Sequence, residues 1–385
     1  METGSEGTLN GGNDADRHGG ALKVALIGAG IVGASVAYRL SEGGAEVVMI
    51  DGAEPGSGTT STSFAWVNAN NKLPREYFEL NRAGMREHER LHDEIGGDWF
   101  HNTGNLIQST DEEDLERCVE RLRSWSYAAE MLTASTVNEN LESEVVFPDP
   151  ETRVAHFQEE SWVDAPALAR TLVQAAHRNG AQMLAGNAVH GIKVEGQGLM
   201  LRLENGETVH ADAAVNATGA RAAFVAGIVG RKLPLDVFRG LLVRVGVPGE
   251  PLGRLVHTPQ INVRPDGPGH VLLHHDSVDA KLTDDFAGTE DPLCGELLKR
   301  AQSVLPALRD AEVVEARFGM RPVPADGHSC VGALSGIPGY YEAVTHSGVT
   351  LGPLIGRLLA REILTSEVDP LIAPFRADRF PITRA

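Results

Sequence analysis

Cysteine is scarce in this chain: three in 385 residues, Cys118, Cys294 and Cys330, far apart and forming no C-x-x-C pair. That usage suits a reducing compartment and argues against zinc or iron–sulfur sites. No segment holds about 18 uninterrupted apolar residues, so no transmembrane helix is expected. Basic residues are also in deficit. With 34 Lys and Arg against 53 Asp and Glu the formal charge is −19, which argues against nucleic acid or an anionic membrane surface as a partner. Residues 1–20 are rich in Gly, Asn, Asp and Ser and lack the apolar core of a signal peptide. They read as a disordered leader, and the chain is expected to be cytoplasmic. Catalytic signatures are missing as well: there is no G-x-S-x-G, no metal-spaced His/Cys group and no convincing pair of acids.

What is present begins with residues 23–51, KVALIGAGIVGASVAYRLSEGGAEVVMID. An apolar run of strand length, 24–27, leads into Gly28, Gly30 and Gly33 at G-x-G-x-x-G spacing. Residues 34–40 then place apolar groups at helical intervals, Gly43-Gly44 ends the helix, and a second apolar run, 47–50, stops at Asp51. This is a βαβ unit of the dinucleotide-binding kind. Gly28 permits the tight turn, Gly30 lets backbone approach a pyrophosphate, and Gly33 lets the helix pack closely on the sheet. The phosphates would meet free N–H groups at the helix N-terminus. Asp51, at the tip of the second strand, can accept both hydroxyls of an adenosine ribose and disfavours a 2′-phosphate.

At 385 residues the chain exceeds one ordinary core, so two intertwined domains are expected. Residues 52–69, GAEPGSGTTSTSFAWVNA, read as a loop whose Thr59, Thr60, Ser61 and Ser63 hydroxyls follow the rest of a long cofactor. A solvated linker would not normally finish in Phe64-Ala65-Trp66. Periodicity predicts a helix over 77–95, a strand over 104–108, a charged helix over 112–132 and a loop over 137–150. Asp164 caps a helix over 166–178 that Asn179-Gly180 stops. Strands are predicted over 181–184 and 188–194, and a hairpin pairs 199–203 with 208–211 around Asn205-Gly206. Residues 213–220 form a buried strand running into small side chains, Ala217 and Gly219 among them, which let a cofactor come close. Strands over 241–245, 260–264, 270–274, 313–319 and 340–344 follow, with a helix over 294–305. A last helix runs through residue 364, and Ser347-Gly348 opens it with amides able to face a negatively polarised group.

In this order the βαβ unit, the Thr/Ser loop, Val189, Asn216-Ala217-Thr218-Gly219, Arg321-Pro322 with Asp326-Gly327, and the run from His346 through Ser347, Gly348, Val349, Thr350 and Leu351 resemble the FAD-dependent D-amino acid oxidase superfamily. The likeness covers residues 22–364. It implies an α/β fold in which a Rossmann-like FAD-binding domain (21–98, 160–232 and 321–385) is interleaved with an α+β substrate domain on a mixed or antiparallel sheet (99–159 and 233–320). It places the FAD pyrophosphate at Gly28, Gly30, Ile31, Val32 and Gly33 and the ribose at Asp51, with Gly52 also counted among the cofactor-binding residues. The chain towards the flavin falls at Thr59, Thr60, Ser61, Phe64, Ala65 and Trp66, and the adenine at the backbone of Val189. Residues 347–351 would present amides to the pyrimidine edge, where a reduced flavin carries negative charge. Sarcosine oxidases tether FAD through a Cys where this chain has Ala316-Arg317-Phe318-Gly319-Met320, and dimethylglycine-type enzymes through a His where it has Ser63-Phe64-Ala65. FAD is therefore expected to be non-covalent.

The resemblance also implies a reaction: hydride transfer from an amine-bearing carbon to flavin N5, giving an imine that hydrolyses to an oxo acid, with O2 or an electron carrier as acceptor. Arg321 would clamp the substrate carboxylate, since a guanidinium fork matches a carboxylate and stays charged; the structural alternative is an Arg held in a salt bridge. His274, His275 and His346 are secondary candidates for proton handling or substrate selection. Oxidation of a 2-hydroxy acid, a non-catalytic flavin-binding role and an NAD-dependent dehydrogenase are the competing readings. The Thr/Ser loop and the terminal motif disfavour the last.

Overall fold

The computed structural model describes residues 20–196 and 198–380; the predicted leader lies outside them except for Gly20. In the first strand, Lys23–Ile27, alternate residues serve two cores: Val24 and Leu26 pack with helices, Ala25 and Ile27 with a β-layer. This strand lies inside a six-stranded sheet in the order Cys330–Ala333, Tyr340–Val344, Ala213–Asn216, Lys23–Ile27, Glu46–Asp51 and Gln182–Ala185. All neighbours are parallel except the first pair. Helices Ile31–Glu42, Ala165–Arg178 and Gly348–Thr365 contribute to the core on one face, and on the other the antiparallel strands Val189–Glu195, Gly198–Leu203 and Thr208–Ala211 cover it. The arrangement is the Rossmann-like half expected from the βαβ unit.

Two of those helices cross on small residues. A Cβ on Gly356 would lie 2.6 Å from Ser35, and one on Gly352 3.3 Å from Ile31, so larger side chains would push the terminal helix Gly348–Thr365 off its neighbour. That helix also contains Pro353, which has no N–H to offer the carbonyl of Val349 four residues back. The buried ring of His88 takes the place of the missing donor, with Nε2 2.8 Å from Val349 O. Burial lowers the His88 pKa to about 4, so the ring is neutral and its one hydrogen is on the nitrogen facing the carbonyl.

The second large sheet has eight strands in the order Glu312–Pro324, Leu235–Gly246, His270–His274, Asn262–Pro265, Leu255–His257, Asn105–Gln108, Arg153–Phe157 and Ala129–Thr133. It is antiparallel apart from the junction of Leu255–His257 with Asn105–Gln108. The molecule is thus a mixed α/β fold with parallel and antiparallel parts. The long edge strand Glu312–Pro324 also grips the Thr/Ser loop: Thr59 Oγ1 donates to Met320 O at 2.7 Å, and any Cβ on Gly319 would overlap the Thr62 side chain.

Two expectations need correction. The helix predicted over 112–132 ends at Ser124; Ser126 turns the chain at φ 59°, and Ala129–Thr133 is a strand paired with Arg153–Phe157. Ala, Glu, Met and Leu are good helix formers, but here the pairing partner overrides propensity. The predicted loop over 137–150 begins inside a short helix, Ala134–Asn140, whose first turn is capped by Thr133 Oγ1 accepting from Thr136 N.

Candidate active site

Both sheets open onto one cavity of about 980 Å3 that runs from the glycine-rich turn to the inner face of the eight-stranded sheet. At the first end Gly28 has φ +102°, and a Cβ there would sit 2.6 Å from Ala217 O; only glycine fits. A Cβ on Gly33 would overlap the Gly28 carbonyl, so Gly33 packs the helix on the turn rather than lining the cavity. Asp51 is fixed by amides, accepting from Ala29 N at 2.7 Å and Ala53 N at 2.9 Å. Thr60 Oγ1 accepts from Ile31 N at 3.0 Å, which closes the loop over the helix N-terminus.

Gly30, Ile31, Val32, Asp51, Gly52, Thr59, Thr60, Phe64, Ala65, Trp66, Val189, Ala217, Gly219, Ser347, Gly348, Val349 and Thr350 all line the cavity. Ser61 and Leu351 do not: the Ser61 hydroxyl bonds back to Ser57 O and Gly58 O, and Leu351 is fully buried. The arrangement fits a dinucleotide. It combines a side-chain-free turn, helix amides, a carboxylate at the ribose position and a long trough between them.

The other end is built on Glu160, whose carboxylate is fully buried. Oε2 accepts from Trp66 Nε1 at 2.8 Å, Asn105 Nδ2 at 2.9 Å and Asn70 Nδ2 at 3.2 Å, and Oε1 accepts from Tyr127 OH at 2.8 Å. Burial outweighs these donors and pushes its pKa up to about 7. Asn105 passes this order on. Since its Nδ2 faces Glu160, its Oδ1 is the atom 2.8 Å from His257 Nδ1, which must carry the ring hydrogen. Burial lowers the His257 pKa to about 3, so Nε2 is a bare acceptor on the cavity wall. Trp66 and Phe64 hold the ring, with centroids 4.2 and 5.7 Å away.

Beside it, Asp279 organises three groups. Oδ1 accepts from Leu241 N at 2.8 Å; Oδ2 accepts from Arg321 Nη2 at 2.7 Å and lies 3.0 Å from His274 Nε2. His274 Nδ1 in turn accepts from Asn262 Nδ2 at 3.3 Å, so this ring has no lone pair left for a ligand. Gly240 makes room for the pair, since a Cβ there would be 3.2 Å from Arg321 Nε.

The sequence-predicted residues therefore divide. Arg321 lines the cavity but already carries an ion pair, leaving Nη1 without a protein partner among the described residues. His346 lines it too, and burial together with Lys72 and Arg321 lowers its pKa to about 4. His275 faces away: its Nδ1 accepts from Ser277 N at the start of the short helix Asp276–Asp279 and lies 3.4 Å from an Arg300 nitrogen. Residues not singled out from sequence also line the cavity, Lys72, His257 and Asn262 among them. Lys72 stands in a run of asparagines that reads as solvated, and His257 carries no motif.

The overall fold is shared with known proteins. The model of the FAD dependent oxidoreductase family matches residues 23–362, and the chain belongs to that family. Glycine oxidase of Geobacillus kaustophilus is 27% identical over 372 residues, covering 92% of this chain and 96% of that protein. Glycine oxidase of Bacillus subtilis is 24% identical over 368 residues, covering 92% and 96%. The crystal structure of glycine oxidase from Geobacillus kaustophilus superimposes with a TM-score of 0.83 at 25% identity, covering 94% of this chain and all of that one. The protein is an FAD-dependent amine oxidase or dehydrogenase.

Proposed function

We propose that this enzyme oxidises the C–N bond of a small carboxylated amine, an amino acid or a secondary amine, to an imine that hydrolyses to an oxo acid. The observation that carries the reading is the pairing, on one cavity wall, of a cation with an open donor, Arg321, and an acceptor of fixed tautomer, His257. The glycine oxidases among the relatives support the same substrate chemistry. Bound FAD supplies the acceptor for the hydride and its two electrons.

The chain's own residues do the positioning. Arg321 Nη1 takes a substrate carboxylate oxygen while Asp279 holds Nη2, so the guanidinium is oriented before substrate arrives. His257 Nε2 accepts an N–H of the amine; a ring held neutral down to about pH 3 directs that hydrogen without keeping the proton. Phe64, Trp66 and the buried ring of His257 keep water from the reacting carbon. The N-terminal amides of Gly348–Thr365 favour negative charge on the group they face. FAD is held non-covalently, since neither Ala316-Arg317-Phe318-Gly319-Met320 nor Ser63-Phe64-Ala65 offers a Cys or His tether.

Anaerobic bleaching of the oxidised-flavin absorbance against D-, L- and N-methyl amino acids and 2-hydroxy acids tests the reading. Carboxylated amines should bleach the enzyme, and Arg321→Lys should raise their KM about tenfold or more. Bleaching by hydroxy acids alone, or an unchanged KM, would refute it.

A further inference from the structure

The substrate end of the cavity carries two cations, and among the described residues only one is held in a salt bridge. Arg321 is matched by Asp279. Lys72 lies on the same cavity wall, and its ammonium has no hydrogen bond or ion pair among the described residues. The backbone beneath it is fixed: Asn68 N donates to Thr350 Oγ1 at 3.4 Å, Asn70 Nδ2 to Glu160 Oε2 at 3.2 Å, and Lys72 N to Ala69 O at 3.3 Å. Glu160, the nearby acid, already holds four donors from other side chains. Burial lowers the Lys72 pKa to about 8, which still leaves it mostly charged near neutrality. His346, Lys72 and Arg321 line the same cavity, and both cations help to lower the His346 pKa, so an anion bound there meets two positive charges. Lys72 is only half-buried on this wall, so its ammonium is open to the cavity, and an anion bound there would gain a charge-assisted hydrogen bond that no protein group supplies.

We propose that Lys72 is a second carboxylate anchor and that the substrate is a secondary amine carrying a carboxylate on each side of its nitrogen. This rests on the amine-oxidation reading and narrows its substrate class. One carboxylate meets Arg321 and the other Lys72, and the bridging N–H is offered to His257 Nε2. In the reaction the carbon beside one carboxylate gives up a hydride to FAD and the nitrogen gives up its proton to water, by way of the hydrogen bond to His257 Nε2, forming the C=N bond. Water then adds to that carbon and the C–N bond breaks. The products are an oxo acid and a primary amino acid, and the electrons leave FAD for O2 or a carrier.

The test uses the FAD-loaded enzyme and two unreactive probes measured by calorimetry, 2,2′-thiodiacetate with two carboxylates and (methylthio)acetate with one. Wild type should prefer the dicarboxylate; Lys72→Met should reduce that preference about tenfold, and Lys72→Arg should restore most of it. The kcat/KM ratio of iminodiacetate to N-methylglycine should move in parallel. Equal weakening of both probes, an unchanged preference, or an effect confined to reoxidation by O2 would overturn the proposal. Lys72-dependent binding of thiodiacetate, with no bleaching by either amine, would uphold the second anion site and overturn only the oxidation reading.

Discussion

Replacing Glu160 with Gln isolates the titration of one buried carboxyl. The folded-state pKa is about 7, against 4.5 for the ordinary group, and desolvation is the main cause. A raised acid pKa means that the native state keeps a proton which the unfolded chain releases. Its contribution is intact below pH 4.5 and is lost as pH rises through 7. At 1.36 kcal/mol per unit, the 2.5-unit gap is worth about 3 kcal/mol. Gln fits the same partners: its carbonyl replaces Oε2 before Trp66, Asn70 and Asn105, and its NH2 replaces Oε1. Tyr127 OH then accepts from that NH2 and turns its own hydrogen to Met85 Sδ, 3.4 Å away.

The variant should therefore gain on wild type between pH 5 and pH 8 by most of that amount, about 2–3 kcal/mol, which is about 3 °C in thermal midpoint for a protein of this length. Paired melts at the two pH values measure it, and influences common to both proteins cancel in the double difference. A difference that stays flat would refute the reasoning. One of opposite sign would show that four donors outweigh burial.

Two further outcomes follow from the packing. His88→Leu leaves the Val349 carbonyl without a donor, because Pro353 cannot supply one; a loss of about 1–3 kcal/mol in a melt is expected, and His88→Gln should recover part of it. Gly319→Ala drives a methyl into Thr62 and should weaken FAD retention about tenfold on a desalting column, with Thr62→Gly in the same chain relieving the overlap; retention unchanged in the single variant would count against the close approach.

The parts of this molecule legible in its sequence are those where local chemistry and tertiary structure agree. Gly28 and Gly33 mark a turn that no side chain permits, and Asn205-Gly206 marks a hairpin whose strands pair at Leu199↔Ala211. Asp164 caps Ala165–Arg178 as its spacing predicts, accepting from Ala167 N. The strand Ala129–Thr133 was hidden because its partner residues lie twenty or more positions away. The substrate end was hidden for a related reason. Asn105, Glu160 and His257 come from three separated segments and act on one another only after folding, so no spacing in the chain announces them. Arg321 was visible as a motif, but Asp279, which orients it, stands on a short helix that periodicity did not reveal.

The edge strand Glu312–Pro324 receives Thr59 and Thr62 of the cofactor loop at Gly319 and Met320, and one residue later it presents Arg321. A strand paired along its whole length with Leu235–Gly246 is a stiff beam, so a shift at one of these points reaches the other. Linkage makes such influence mutual. If FAD firms the loop and thereby sharpens the hold on a carboxylate, the carboxylate must tighten the hold on FAD by the same factor.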